Sequence, residues 1–267
     1  MTKNISVGLL INYISFSVKR ALRELQEFQM GRSGNDFDVD DLIDHFRGKK
    51  VWNREVKRDW LIWSKKIYAK NLIIVGGFKG NSSKLFLERI PTLSKIHVYE
   101  PVPEYFDLIN ETIKGSSIMT VFNEGIFNGQ TMSLDLSEDA SLLSITGREI
   151  PNHLRKENTL TVKTVSIDVA VERITKEDPT AAFSMYMNCE GSEYLILTEM
   201  LDLEKIADSI VVQTHTTGSD SYKNLYLLRS VLAERYVPLF TADWAWDIWI
   251  RKELVLRSLA SIEQDPF

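Results

Sequence analysis

The stretch LIIVGGFKGNS at residues 72–82, followed by HVYEP at residues 97–101, is the most informative part of this chain. An apolar run ends in a glycine turn, a helix-forming segment follows, and a second apolar run ends in Glu100. This order is typical of a βαβ nucleotide-binding unit, in which glycines let the backbone approach a ligand and the next helix offers its positive N-terminus. Glu100 lies 20 residues past Gly80, where a carboxylate at a strand end can accept hydrogen bonds from both hydroxyls of a ribose.

Size and composition indicate an ordinary globular protein. A chain of 267 residues is long enough for one α/β domain with an N-terminal extension, and a net charge of −5 gives no general attraction to nucleic acid. The single cysteine, Cys189, excludes an internal disulfide and fits a reducing compartment, so we expect a cytoplasmic protein. The apolar segment at residues 5–18 is too short to span a bilayer and is interrupted by Asn12, Ser15 and Ser17. We expect it to pack on the domain, with peripheral membrane contact as the alternative.

Alternating strand and helix patterns predict the architecture. Predicted strands lie at residues 72–76, 95–100, 118–122, 161–165, 183–188, 206–213, 237–241 and 248–255, and predicted helices lie at residues 82–90, 103–113, 167–174, from 192 onward and at 222–234. The segment 131–146 is predicted to form a hairpin or an irregular insertion. This alternation predicts one mostly parallel sheet with helices on both faces, in which ligands bind beyond the carboxyl ends of the strands. We therefore predict a helical N-terminal extension at residues 1–70 and an α/β domain at residues 71–267.

The glycine spacing distinguishes between the nucleotides that such a turn binds. A NAD-type fingerprint needs Gly-x-Gly-x-x-Gly, and Val75 stands where its first glycine would be. No lysine followed by serine or threonine comes after Gly80, so the turn is not a P-loop. The spacing Gly76-x-x-x-Gly80 is nearer to the S-adenosylmethionine turn of Rossmann-like methyltransferases. The alternative is an α/β domain that uses these glycines only for packing.

Three further motifs follow in the order of the predicted strands. They are Glu-Pro-x-Pro at residues 100–103, Ile-Asp at residues 167–168 and Asn-x-Glu-Gly-x-Glu at residues 188–193. Together with the glycine turn they resemble the FkbM-type methyltransferase family, whose pattern has Leu-Asp before a helix and Asp-x-Glu-Gly-x-Glu at the fourth strand end. The resemblance covers residues 72–197. It implies a Rossmann-like class I methyltransferase fold with a mostly parallel seven-stranded sheet, and S-adenosyl-L-methionine as the cofactor.

The resemblance also implies a role for each matching residue. The glycine turn would wrap the methionine part of the cofactor, Glu100 would hold the ribose, and the residues after the third strand would lie near the adenine. The implied cofactor-binding residues are Gly76, Gly77, Phe78, Gly80, Glu100, Pro101, Asn123, Glu124 and Asn188. Because a sulfonium centre is positively charged, nearby carboxylates and carbonyl groups stabilise the bound cofactor.

Two residues depart from the family pattern. Ile74 replaces the first-turn acid that commonly helps to hold the cofactor's amino group, so another group must do so here, or binding is weak. Asn188 replaces the first acid of the fourth-strand motif, and an amide donates and accepts hydrogen bonds but cannot act as a base. These departures leave open a relative without catalytic activity.

Candidate bases lie at predicted strand ends. His215 follows the strand at residues 206–213, and an imidazole suits proton abstraction near neutral pH; alternatively it only caps the loop. Glu190 is the second candidate, because a partly buried carboxylate can have a raised pKa; alternatively it stabilises a helix N-terminus. Asp168 would face the site by resemblance, and is otherwise an ordinary polar residue of its helix. The other histidines have no acid or cysteine partners at ligand spacing, so no zinc site is indicated. We predict no metal site, with a magnesium site formed by Asp168, Glu190 and another acid as the alternative.

The sequence thus predicts an S-adenosylmethionine-dependent O-methyltransferase. By resemblance, its acceptor is a hydroxyl on a sugar, a glycan precursor or a secondary metabolite. The alternatives are an N-methyltransferase acting on a small molecule and a non-catalytic binding protein that retains the fold. A NAD-dependent enzyme is a third alternative, disfavoured by Val75. We expect a small-molecule or glycan acceptor, no nucleic-acid partner and no transmembrane segment, and we allow for a homo-oligomer.

Overall fold

The computed structural model describes residues 69–137, 155–189, 191–214, 221–241 and 246–256. Its strands are β1 (Asn71–Val75), β2 (Lys95–Tyr99), β3 (Met119–Phe122), β4 (Gly125–Ile126), β5 (Met132–Ser137), β6 (Arg155–Val162), β7 (Thr164–Val165), β8 (Phe183–Met187), β9 (Ser209–Gln213), β10 (Tyr236–Thr241) and β11 (Trp246–Arg251). Seven of them form the main sheet, in the order β10-β11-β9-β8-β1-β2-β3. All neighbours in it are parallel except β11, which is antiparallel to both β9 and β10. The predicted mostly parallel seven-stranded sheet is confirmed.

The central strand β1 is paired along both edges. Val75 at its carboxyl end pairs with Tyr99 of β2 and with Met187 of β8. All five β1 residues are buried, as expected for a continuous apolar run with structure on both sides. The carboxyl ends of β1, β2 and β8 therefore meet at one edge of the sheet, where the glycine turn leaves β1.

Helices cover both faces of the main sheet. They are α1 (Asn81–Arg89), α2 (Pro103–Thr112), α3 (Ile167–Thr175), α4 (Glu193–Leu201) and α5 (Ser221–Arg235). On the first face, α1 and α2 contribute Phe86 and Ile109 to one apolar cluster. On the second face, α3, α4 and α5 contribute Ile174, Leu197 and Leu232 to another. The prediction of helices on both faces is confirmed, and burial of these apolar side chains is the main force that holds the layers together.

Two small sheets accompany the main sheet, and here the sequence prediction was partly wrong. β4 pairs with β7 in parallel, and β5 pairs with β6 in antiparallel orientation. The strand predicted at residues 161–165 is in fact two strands, β6 and β7, and neither joins the main sheet. The longer one begins at Arg155 in the polar sequence RKENT, where no apolar run marks a strand.

A buried ion pair fixes the reversed strand β11. The side chain of Asp247 is fully buried, and its two oxygens accept hydrogen bonds from Arg229 of α5, at 2.8 Å from Nε and 2.7 Å from Nη2. A buried carboxylate without its partner is costly, so this pair ties α5 to β11. Trp246 and Trp249 of the same strand are also buried. Their burial fits the role of core side chains.

The predicted helical extension at residues 1–70 lies outside the described residues, apart from its last two. In the described part of the chain, no helix has both the length and the apolar character needed to cross a membrane.

Candidate functional site

The glycine turn is pressed against the end of β8. Gly76 has a φ of +84°, and its N–H donates to the carbonyl oxygen of Tyr99 at 3.0 Å. A Cβ atom at position 76 would lie only 2.0 Å from the carbonyl oxygen of Asn188, whose own N–H donates to Val75 at 2.9 Å. Glycine is therefore required by the close approach of two strand ends as well as by the positive φ. Close packing is therefore enough to explain a glycine at position 76, as in the alternative in which these glycines serve only for packing.

The next residues of the turn pack on the first face and begin α1. A Cβ atom on Gly77 would lie 2.5 Å from the side chain of Ile109 and 2.7 Å from that of Val98. Gly80 precedes α1, and its carbonyl oxygen accepts a hydrogen bond from the N–H of Lys84 at 2.9 Å. The first turn of α1 contains no acidic residue. The turn is thus fixed by sterics on one side and by helix hydrogen bonds on the other.

Phe78 has a left-handed backbone, with a φ of +48°, which is uncommon for a residue other than glycine. Its N–H donates to Oε2 of Glu100 at 2.7 Å. Its ring packs edge-on against Tyr105 with the ring centroids 4.9 Å apart, and Nζ of Lys79 lies 5.0 Å from the centroid of the Phe78 ring. A left-handed backbone costs about 1–2 kcal/mol, and these contacts offset that cost. Such strain is often found at functional sites.

Glu100 joins the glycine turn to the end of β2. Its side chain is almost fully buried, with 3% exposed, and Oε1 accepts a hydrogen bond from the N–H of Val102 at 2.9 Å while Oε2 accepts the one from Phe78. Burial raises the pKa of Glu100 to about 7, against the lowering effect of the backbone N–H groups. Asn123 fixes the same corner, because its Nδ2 donates to the carbonyl oxygens of Glu100 (3.1 Å) and Pro101 (3.2 Å). The acid is thus held rigidly beside the turn.

Glu124 is bound by α3. Its Oε2 accepts a hydrogen bond from Nη1 of Arg173, and the Arg173 guanidinium lies 4.9 Å from the centroid of the Phe122 ring. Phe122 in turn stacks on Tyr99, with the centroids 4.8 Å apart. The Glu124 carboxylate therefore ties the end of β3 to α3, and its predicted place near an adenine stays a prediction.

The loop between β8 and α4 is organised by Glu193. This carboxylate is buried, and it accepts hydrogen bonds from the N–H groups of Cys189 (3.2 Å) and Gly191 (2.9 Å). The hydroxyl of Ser192 donates to the carbonyl oxygen of Cys189 at 2.9 Å. Because Glu193 also lies in the first turn of α4, its charge faces the positive end of that helix. The second glutamate of the Glu-Gly-x-Glu motif is therefore a positioning residue for the loop.

Replacing Glu193 by alanine is expected to lower the free energy of unfolding by about 2–3 kcal/mol, because two backbone N–H groups lose an ionised acceptor. Glu193→Gln, which keeps one acceptor oxygen, should lower the free energy of unfolding by about half as much. Urea unfolding measures the stability, and hydrogen exchange at residues 188–192 measures the order of the loop. The exposed Glu204→Ala is the control. Unchanged exchange in Glu193→Ala would mean that the loop is held by other groups.

The structure brings all nine predicted cofactor-binding residues to the carboxyl ends of β1, β2, β3 and β8. They are Gly76, Gly77, Phe78, Gly80, Glu100, Pro101, Asn123, Glu124 and Asn188. Asp168 is exposed in the first turn of α3, where the Ser166 hydroxyl and the backbone N–H of Val169 hold its pKa below the usual value. The two candidate bases, His215 and Glu190, lie outside the described residues. Within the described ranges, no three His, Cys, Asp or Glu side chains are grouped as metal ligands would be.

Three residues of this region were not among the predicted site residues. Tyr105 supports the Phe78 ring, Arg173 binds Glu124, and Gln213 lies at the carboxyl end of β9. The first two contacts join residues that are 27 and 49 positions apart, so no local pattern in the sequence indicates them. One feature of the sequence could have indicated Gln213, because it is a polar residue at the end of an apolar strand.

Strand order decides the fold class. The strands β3-β2-β1-β8-β9 have the doubly wound order 3-2-1-4-5, and the reversed β11 is inserted between β9 and β10. The chain has the Rossmann-like class I methyltransferase fold. In this fold, ligands bind beyond the carboxyl ends of the strands, on either side of the point where the strand order reverses. That point is the end of β1, next to Gly76 and Glu100.

Several solved structures are similar to this methyltransferase-fold chain. Methyltransferase FkbM from Methylobacillus flagellatus is 15% identical, with a TM-score of 0.45 over 87% of this chain, which spans 60% of that protein's length. N-methyltransferase NodS from Bradyrhizobium japonicum is 9% identical, with a TM-score of 0.41 over 76% of this chain and 98% of that one. Precorrin-6y C5,15-methyltransferase from Geobacter metallireducens is 11% identical, with a TM-score of 0.42 over 74% of this chain and 88% of that one. No protein-family model and no curated protein sequence matches the chain.

Proposed function

We propose that this protein is an S-adenosylmethionine-dependent methyltransferase. The observation that carries the proposal is the link between Glu100 and the glycine turn, in which one buried carboxylate at the end of β2 binds the Phe78 N–H. A doubly wound sheet uses this corner for a nucleotide, and a fixed acid there is suited to accept the hydroxyls of a ribose. The resemblance of the motifs to the FkbM-type family agrees with this assignment.

The residues at the carboxyl edge fit such a cofactor. The Glu100 carboxylate accepts the N–H groups of Phe78 and Val102, with a further contribution from the Gly77 backbone, and its remaining lone pairs can accept hydrogen bonds from a ribose. The amide oxygen of Asn188 is buried without a hydrogen-bond partner among the described residues, so it has capacity for a donor group of a ligand. When bound, S-adenosylmethionine supplies an electrophilic methyl group. The protein's share of the chemistry is to align the acceptor and, where the nucleophile is a hydroxyl, to take up its proton.

For the acceptor, we propose a hydroxyl on a sugar, a glycan precursor or a secondary metabolite. His215 is the proposed base, Glu190 is the second candidate, and Asp168 stays a third on the strength of the motif alone. Transfer to nitrogen of a small molecule is the second candidate function, because Asn188 cannot act as a base and a neutral amine, unlike a hydroxyl, needs no deprotonation before it attacks the methyl group. Cytoplasmic location, homo-oligomer formation and peripheral membrane contact stay predictions.

Calorimetric titration with S-adenosylmethionine and S-adenosylhomocysteine, with NAD as the control ligand, tests the cofactor assignment. Micromolar binding of the first pair is the expected result, and an acceptor screen with sugars and nucleotide-sugars would follow. Binding of NAD alone would support the dinucleotide alternative. No binding of any of the three would favour a binding protein that has kept the fold without its enzymatic function.

Cofactor affinity is expected to depend on pH through Glu100. Its pKa is raised to about 7 by burial, so the ionised fraction falls from most molecules at pH 7.5 to about a tenth at pH 6. Because the ionised form accepts two ribose hydroxyls better than the acid form does, S-adenosylhomocysteine should bind about tenfold more weakly at pH 6. Titration calorimetry at both pH values measures this. Glu100→Gln should bind S-adenosylhomocysteine weakly at both pH values. Equal affinity of the unmodified protein at the two pH values would mean that Glu100 does not bind the ribose.

A further inference from the structure

Two amide oxygens at the carboxyl edge of the main sheet are buried and have no hydrogen-bond partner within the described residues. They are Oδ1 of Asn188, just past β8, and Oε1 of Gln213, at the end of β9. Buried polar atoms in folded proteins are nearly always hydrogen-bonded, so unpartnered ones need an explanation. Both residues are partly exposed as a whole. They therefore lie at the edge of the sheet, where a change of side-chain torsion would turn either oxygen toward a ligand.

The two amides are neighbours on the first face of the sheet. β8 and β9 are parallel, with Met187 paired to Val212, and this register continued by one residue sets Asn188 beside Gln213. The residues two positions earlier, Tyr186 and Val211, both belong to the apolar cluster of the first face. Since side chains alternate along a strand, Asn188 and Gln213 also project from this face. Two acceptors thus stand side by side at the end of the sheet.

The pair also stands next to the glycine turn. The carbonyl oxygen of Asn188 is the atom that a Cβ on Gly76 would meet at 2.0 Å, so these two residues are in direct contact. On the same face, two residues before Gly76, Ile74 is fully buried beside Tyr186. Its hydrocarbon side chain offers no hydrogen bond to a ligand. Position 74 therefore offers no acid to the amino group of a cofactor bound at this turn. The ends of β8 and β9 offer two amide oxygens instead.

We infer that the side-chain oxygens of Asn188 and Gln213 hold the ammonium group in the amino-acid part of S-adenosylmethionine, in place of the acid missing at position 74. This inference rests on the proposed function. An ammonium group has three hydrogens to donate and accepts none, so it matches a pair of carbonyl oxygens. Its charge also strengthens the hydrogen bonds that it makes to them. Because amides do not titrate, the contact persists at any pH at which the amino group is protonated.

The test compares S-adenosylhomocysteine with its analogue in which hydrogen replaces the α-amino group. Asn188→Leu and Gln213→Met keep the size of the side chains and remove the acceptors. Each is expected to weaken S-adenosylhomocysteine by about 10- to 100-fold in calorimetry and to leave the affinity for the deaminated analogue within about twofold. Asn188→Asp, which adds a charge opposite the ammonium, should bind S-adenosylhomocysteine more tightly and the deaminated analogue no better.

Thermal unfolding of the ligand-free variants separates a binding role from a structural one. Removing a buried acceptor without a partner should leave the melting temperature unchanged or raise it. Asn110→Leu, on the exposed side of α2, is the matched control for the amide-to-leucine change and should alter neither ligand's affinity. Equal weakening of both ligands by Asn188→Leu and Gln213→Met, or no weakening of either, would overturn the inference while the proposed function stands. Failure of both ligands to bind the unmodified protein would overturn the proposed function and the inference together.

Discussion

Replacing Glu100 by alanine is expected to lower the stability of the fold and to remove most of the cofactor affinity. The buried carboxylate accepts the N–H groups of Phe78 and Val102, and both donors would lose their acceptor in the variant. We expect a loss of about 2–5 kcal/mol in the free energy of unfolding, the lower end above pH 7, because burial of the ionised acid costs free energy that the alanine variant does not carry. Affinity for S-adenosylhomocysteine should fall about 100-fold or more, because two hydrogen bonds to an ionised group are lost.

Urea unfolding and calorimetry on the same preparation separate the two effects of this substitution. Glu104→Ala is the matched control, because Glu104 is an exposed acid in the first turn of α2, four residues further along the chain. It should change the stability by less than about 0.5 kcal/mol and leave the affinity intact. A Glu100→Ala protein that unfolds early but still binds S-adenosylhomocysteine with full affinity would limit Glu100 to a structural role.

Gly76→Ala is expected to damage the site through a single added methyl group. The new Cβ atom would lie 2.0 Å from the carbonyl oxygen of Asn188, which is held in place because the Asn188 N–H is bonded to Val75. Overpacking costs about 1–3 kcal/mol, and the positive φ adds about 1–2 kcal/mol. We therefore expect a loss of about 2–5 kcal/mol in stability. The end of β8 should also move away from β1 and weaken cofactor binding.

Gly115→Ala provides a matched control for the backbone term. Gly115 has a φ of +89°, close to that of Gly76, but an added Cβ atom there would meet nothing within 4 Å. The Gly115→Ala variant should lose only about 1–2 kcal/mol in the free energy of unfolding, from the positive φ, and should bind S-adenosylhomocysteine normally. If the two variants lose equal stability, the contact with Asn188 carries no cost, and the strand ends are free to separate.

Much of the fold was predictable because its central strands carry their own signal. The runs around Leu72 and His97 are apolar, end in turn residues and alternate with helical segments, so β1, β2 and the parallel sheet follow from local pattern. The first six residues of β6 were missed because they are mostly polar and because the strand pairs, among the described residues, only with β5. Its existence depends on a partner strand whose paired residues lie 18 to 30 positions earlier in the chain, which the segment itself does not encode.

The site was predictable as a set of residues but not as a set of contacts. The motif placed Glu100 beside the glycine turn, and the structure has it there. The motif could not indicate that Arg173 binds Glu124, or that Glu193 holds the loop after β8, because these contacts depend on how helices pack on the sheet. Gly76 was expected for the sake of a ligand, and the structure adds the approach of Asn188 as a separate reason.

The reversed strand β11 has a consequence for the synthesis of the chain. β11 comes last of the seven sheet strands in sequence but lies inside the sheet, between β9 and β10. Until the ribosome has released residues 246–251, the apolar edge of β9 stays unpaired, and β10 has no neighbour to pair with. Open strand edges are templates for aggregation, so the incomplete chain is expected to be liable to aggregate until β11 has been made. Premature termination before Trp246 should therefore yield an aggregating polypeptide rather than a smaller folded domain.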